Sequence, residues 1–378
     1  MTLVGLDMNA TQLRAVSGPA DLPPVPLPFG GNGNGLPLAV SLQGRYPEVG
    51  RAGAALIREN PHLVCLDFLA YLGIDRTWAA GRHRLDAAKA VTLVWEHIRP
   101  VLATAKAVTL ALPAYLTPAQ ADQVQQLAHK VKVPVLGSTT TPLALALAGY
   151  RQQHWSGIAL VVDADDHALS WTILKTTSDQ MQVAATKAEP RLALLSWKKK
   201  LLDSIADLCI HHSRRDPRDS GAAEQLLFDQ LDDVFAAEQR DRMVEVIIRS
   251  ANWCQNLILQ PQQIRRFCSL FVDQAREEIE RSLEEASVPD LSALVITQAA
   301  ARLPGLVAAL QEAMDKKTPV LQLPDDAAAQ MAWALAARFT RDKLPGGHLH
   351  RSLALSIASI PESERESKRV NPRRAADR

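Results

Sequence analysis

AVTLALPAYLTPAQADQVQQLAHKVKVPVLGSTTTPLALALAGY, residues Ala107–Tyr150, decides the fold. The apolar run Val108–Leu112, closed by Pro113, reads as a buried strand. Thr117-Pro118 opens a helix, with Thr117 as N-cap and proline at the first helical position. Val124, Leu127, Ala128 and Val131 recur at helical spacing, so that helix buries one face. A short strand over Val133–Leu136 follows, and Pro142 opens a second helix over Leu143–Tyr150. Strand, helix, strand, helix in this order predicts two parallel strands joined by a right-handed crossover.

The length of 378 residues suits two lobes rather than one core. An apolar fraction of 47% with 22% charged residues is ordinary for a globular chain. The net charge of +1 supplies no field that would favour nucleic acid or a membrane surface. Cys65, Cys209, Cys254 and Cys268 are scattered without metal or redox spacing and are expected to be reduced. The N-terminus lacks the pattern of a signal peptide, and no apolar run approaches the roughly 20 residues of a membrane span. A cytoplasmic protein is the expectation.

Outward from the opening stretch, Leu3–Asp7 and Leu13–Val16 predict an antiparallel hairpin. Gly30–Gly35, GGNGNG, lacks the Lys-Ser/Thr of a phosphate loop and reads as a turn. Asp86–Ala105 predicts an amphipathic helix with His97 on its apolar face. Gly157–Asp163 and Ala168–Lys175 form a second hairpin around the turn Ala164-Asp165-Asp166-His167. Leu192–His212 is a helix whose Trp197–Lys200 patch reads as a solvated edge. Its Cys209, His211 and His212 fall on different faces, which argues against a metal site. A helix over Glu224–Ala237, strands over Arg242–Arg249 and Trp253–Leu259, the long helix Gln263–Ala286, a strand over Asp290–Thr297 and a helix from Pro324 to Phe339 complete the pattern. Residues 342–378 are expected to be mostly disordered. Within them Leu353–Ile357 is either a short strand that pairs with a sheet edge or, the preferred expectation, a frayed tail.

The wording adds to this pattern. ALPAYLTPAQADQVQQLA, a short strand and TTTPLALALAGY resemble the ATPase domain of the seventy-kilodalton heat-shock proteins, the DnaK-type chaperones. There a strand ends in VPAYF, and NEPTAAALAYG forms the helix that crosses between lobes. Further phrases follow in the family's order as far as Arg341. LVGLDMNAT resembles GIDLGTTNS, VVDADDHALSWTIL resembles FDLGGGTFDVSIL, and VITQAAARLPG resembles VVLVGGSTRIP. The resemblance implies an α/β, actin-like ATPase (ribonuclease H-like) fold of two lobes, each a mixed sheet flanked by helices. Lobe I would span 1–150 and end in the crossing helix. Lobe II would span 151–322 with an outer subdomain at about 213–262, and a last helix, 323–341, would return to lobe I.

Of the family's nucleotide-site positions, the resemblance carries over Asp7, Thr11, Asp163 and Arg302. The others depart. Asn9 and Ala10 replace a glycine and a threonine, Ala70 replaces the catalytic lysine, and Thr141 replaces a glutamate. Asp165, Asp166 and His167 replace three phosphate-loop glycines, Ala168 a threonine and Ser170 an aspartate. Asp232 and Asp233 stand where basic side chains would sandwich adenine, and Gln298 and Ala299 replace the nucleoside glycines. Phosphoryl transfer depends almost wholly on positioning and charge stabilisation. The expectation is therefore a non-hydrolysing scaffold or interaction module with a protein partner, no catalytic residue and no resident cofactor. The alternative is an ATP- or ADP-binding ATPase with magnesium at a rebuilt site, held by Asp7, Asp163 and Asp165. The bland reading of Asp165 and Asp166 is a solvated polar turn.

Overall fold

The computed structural model describes residues 2–29, 35–288, 290–314, 317–342 and 348–355. The chain is a mixed α/β protein with two large sheets flanked by helices. In the first sheet, Leu3–Met8 pairs antiparallel with Gln12–Gly18 and parallel with Ala107–Leu112, which pairs parallel with Val135–Thr140. The second sheet repeats the plan. Gly157–Ala164 pairs antiparallel with Leu169–Thr176 and parallel with Ala293–Thr297, and Val320–Leu323 extends the parallel side.

The opening stretch folds for the expected reasons. Thr117 Oγ1 accepts from the Gln120 amide while Gln120 Oε1 accepts from the Thr117 amide, a complete capping box. The second strand, however, is Val135–Thr140 and not Val133–Leu136. The Val133 amide is spent on Ala128 O at the helix end, and the polar Ser138, Thr139 and Thr140 are buried in the ladder. A parallel strand covered on both faces need not show an alternating pattern.

The helix Thr141–Gln152 lies between the two sheets, and its Leu143, Leu145 and Leu147 share a core with Ala159, Val161, Val295 and Met331. Each such side chain contributes about 1.5–3 kcal/mol on full burial. The helix Ala327–Asp342 packs across Leu3–Met8, and Gly5 is the reason it can. A Cβ there would overlap the Ala329 carbonyl oxygen and the Trp333 amide nitrogen.

Several expectations are corrected. The helix after Asp86 ends at Ile98, before Pro100, and buries Trp95 while His97 is exposed. Glu224–Ala237 is two helices, Gly221–Asp229 and Leu231–Gln239, because the Gln230 side chain turns to pair with both backbone groups of Ile247. In the Trp197–Lys200 patch, Trp197 and Lys198 are buried and only Lys199 and Lys200 are exposed. A ten-residue strand, Gln180–Glu189, extends the second sheet unannounced by any strong alternation.

The frayed-tail expectation fails at residues 348–355. Leu349–His350 adds a parallel strand to Val135–Thr140, and two residues later Ser352–Ala354 adds an antiparallel strand to Gln180–Glu189. Leu353 and Leu355 are buried in the shared core, which offsets the entropy of ordering the segment. Residues 30–34 and 356–378, which hold most of the GGNGNG turn and the charged end, lie outside the described residues.

Gly5→Ala should therefore lower stability by about 3 kcal/mol or prevent folding, by overpacking against backbone that cannot yield. Thermal unfolding of the variant checks it, and a change within error of zero would mean that the last helix is not seated on this strand.

Candidate functional site

The turns of the two hairpins meet head to head. In the first, Asn9 Oδ1 accepts from the amides of Thr11 and Gln12, both at 3.0 Å, an Asx turn that replaces the flexibility of glycine. In the second, Asp165 is 3% exposed, so it is neither a solvated residue nor a free one. Its Oδ1 accepts from the amides of His167 (2.9 Å) and Ala168 (3.0 Å). Its Oδ2 accepts from the Ala10 amide of the opposite turn (3.0 Å) and from the Tyr115 hydroxyl (2.6 Å). Thr11 Oγ1 in turn accepts from the Asp166 amide at 2.9 Å. Successive backbone amides in a tight turn are an anion-binding concavity. Here the anion is the chain's own carboxylate.

A second link lies beside it. His167 Nδ1 approaches both carboxylate oxygens of Asp67, at 3.0 and 3.1 Å. Burial opposes the imidazolium, but the Asp67 hydrogen bond and charge, with Asp165 behind, outweigh it and raise the His167 pKa. Tyr115 packs against the ring, with centroids 4.6 Å apart.

Behind these turns a cavity of ≈ 450 Å3 opens between the sheets. Asp7, Thr11, Asp163 and Arg302, the four residues singled out from the sequence, all line it. Asp165 does not. Asp7 and Asp163 sit at the ends of the two equivalent strands, one in each sheet, which is why a pair 156 residues apart in sequence converges here. Among the described residues no group of three or more His, Cys, Asp or Glu is arranged to hold a metal ion, so Asp7, Asp163 and Asp165 are not brought together as ligands. The physical reason is that both Asp165 oxygens are already engaged by four donors.

The cavity is acidic, and three of its acids are hard to ionise. Burial pushes Asp7 up to about 7, with Arg14 opposing and Asp163 assisting. Burial and Asp165 push Asp163 up to about 6, against hydrogen bonds from Thr297 and the Ala164 amide. Burial lifts Asp166 to about 7, with Lys198 opposing. Two of the cavity's cations are paired at its rim: Arg14 with Asp325 at 3.1 Å, and Lys198 with Asp232 at 2.8 Å. Sequence reasoning missed Arg14, Tyr115, Lys198 and Asp67. Only Lys198 left a signal, a lysine at an apolar-face position of its helix.

No protein-family model matches the chain, and no curated protein matches it either.

Two substitutions at this site should act in opposite directions. Asp165→Asn turns an amide NH2 toward buried donors and should cost on the order of 2–4 kcal/mol. Asp7→Asn removes a carboxyl whose folded pKa lies above its unfolded one. Such a group favours folding below its unfolded pKa and loses that contribution as pH rises through about 7. Between about pH 4 and pH 7, the interval between its unfolded and folded values, wild-type stability should fall with rising pH more steeply than that of Asp7→Asn. Calorimetric melting temperatures across that range decide the matter, and parallel profiles would rule out a buried, proton-holding Asp7.

Proposed function

We propose that this chain is a non-hydrolysing relative of the seventy-kilodalton heat-shock ATPase domain, with an actin-like fold, working as a scaffold or interaction module for a protein partner. The observation that carries this reading is the Asp165 carboxylate. In a nucleotide site of that architecture the facing turns offer their amides to phosphate. In this chain the amides of Ala10, His167 and Ala168 already donate to Asp165, and those of Thr11 and Gln12 to Asn9.

The residues present do not fit a triphosphate with magnesium. A phosphate brought to the turns would meet Asp165 and Asp166 in a partly desolvated site, where like-charge repulsion is costly. Ala70 offers no ammonium. Asp232 stands at the rim with Lys198 and gives no cationic face for adenine. Arg302 alone among the residues carried over from the resemblance supplies positive charge.

The links between the sheets favour a static role. Asp165 with Ala10 and Tyr115, Thr11 with Asp166, and Asp67 with His167 all join elements of the first sheet's side to the second hairpin. The strands at 349–354 join the same two sheets at another edge. An ATP-driven switch needs its lobes to change their relation, and each of these contacts would have to break or shift for that to happen.

Melting of the full chain with millimolar ATP or ADP and magnesium tests the proposal. A ligand bound only to the native state stabilises by about 2.7 kcal/mol at a hundred times its dissociation constant. No magnesium-dependent rise in melting temperature is expected. A clear rise would replace this reading with a rebuilt nucleotide site around Asp7 and Asp163.

A further inference from the structure

Away from the cleft, Val244–Ser250 and Trp253–Leu259 form a two-stranded antiparallel sheet whose two edges differ. Along the outer edge of Val244–Ser250, the Gln230 side chain donates to Ile247 O and accepts from the Ile247 amide, both at 2.9 Å. It occupies the backbone groups that a further strand would use. Along Trp253–Leu259 no other strand pairs among the described residues. An open edge is a template for another chain, and proteins ordinarily blunt it with charge, proline or a bulge. This strand, WCQNLIL, has no charged residue and no proline, and its register with its neighbour runs unbroken from Trp253 to Leu259.

The hydrogen-bond pattern of the hairpin says which groups face that edge. Ile247 turns both its amide and its carbonyl toward Gln230, so Ile247 and its cross-strand partner Asn256 are a non-hydrogen-bonded pair. Asn256 therefore turns its own amide and carbonyl outward, and so do Cys254 and Ile258, two residues to either side. Gln255 Nε2 donates to Asn256 O at 2.9 Å, as an outward carbonyl allows. The side chains of the same three residues stand on the solvent face, with Ile258 68% exposed.

These groups are self-complementary. Laid antiparallel against itself about a two-fold axis at Asn256, the strand sets Asn256 opposite Asn256 and Cys254 opposite Ile258. All are residues with outward amides and carbonyls, so each pair can exchange both backbone bonds. Asn256 is the middle residue of the strand, so this register uses its whole length. It also brings no like charges together. Each outer row of the joined sheet runs Glu245, Ile258, then Cys254 and Arg249 of the second copy, acid at one end and base at the other.

We propose that two copies of this chain associate through Trp253–Leu259, their hairpins joining into one four-stranded antiparallel sheet. The proposal rests on the strand edge and not on the scaffold reading, and molecular mass reports on it independently of nucleotide melting.

Sedimentation equilibrium of the full chain, from micromolar to hundreds of micromolar, tests it. A concentration-dependent rise from the monomer mass to twice that mass is expected. Asn256→Pro removes an outward amide without touching the ladder to Val244–Ser250, at a position where an edge strand accepts proline. Ile258→Lys places a charge on the joined rows. Each variant, checked for native circular dichroism, should stay monomeric where wild type is dimeric. Ile258→Cys adds a thiol opposite Cys254 of the second copy, at the Cα separation of about 5.5 Å of a hydrogen-bonded pair, which a disulfide can span. Mild oxidation should link this variant into a covalent dimer, and the link should be lost when Cys254→Ser is added. A wild type that is monomeric throughout leaves the edge to a strand of some other protein and overturns the proposal. Edge variants that associate as strongly as wild type, or crosslinking that survives Cys254→Ser, overturn it too. Should both edge variants fail to fold, the crosslinking decides.

Discussion

The Asp165 carboxylate ties together two halves of the chain where their hairpin turns meet. It is buried, and an isolated buried charge is expensive. Four donors offset part of the cost, three backbone amides and the Tyr115 hydroxyl, drawn from both hairpin turns and from the loop after Ala107–Leu112, although burial still holds the Asp165 pKa above its ordinary value. The arrangement is mutually dependent. Without the carboxylate the amides of Ala10, His167 and Ala168 lose the acceptor they share; without those amides the carboxyl has no reason to be inside. Everything behind the turns, the cavity and its acids included, takes its shape from this closure.

The same economy of contact recurs along the boundary between the sheets. The helix Thr141–Gln152 is apolar on nearly every side because it touches both. The helix Ala327–Asp342 returns from the second sheet and lies on Leu3–Met8 through the space left by Gly5. Six residues near the end of the described chain give one strand to each sheet, and the Thr139 hydroxyl fastens the first of them by donating to His350 O. A boundary crossed by packing, by hydrogen bonds and by strand pairing has several independent reasons to stay as it is. That is the physical basis for preferring a fixed platform to a moving one.

The cavity's electrostatics run opposite to those of a phosphate site. Its acids are interior and only partly compensated, while two of its cations are held at the rim by rim acids. Burial raises the pKa values of Asp7, Asp163 and Asp166. Charge at the strand ends, rather than the fold that presents them, sets what the cleft can accept.

The sequence by itself determined the element plan. The apolar runs of Leu3–Met8, Ala107–Leu112 and Gly157–Ala164, the Thr117 cap and the two prolines at helix starts are local signals, so both hairpins and the parallel strand beside the first were legible. It also placed Asp7, Thr11, Asp163 and Arg302 at strand ends and turns, and the structure gathers them in one cleft. Other features depended on what packs against what. The polar strand Val135–Thr140 and the weakly alternating Gln180–Glu189 are strands because sheets and helices cover them. Leu349–Ala354 is ordered because two edges were waiting for it. Above all, the sequence offered Asp165 as a solvated residue or a metal ligand, and tertiary structure made it neither. Whether a carboxylate is solvated, ligating or plugging a nest of amides depends on donors 155 residues away, and no local pattern in the chain encodes that meeting.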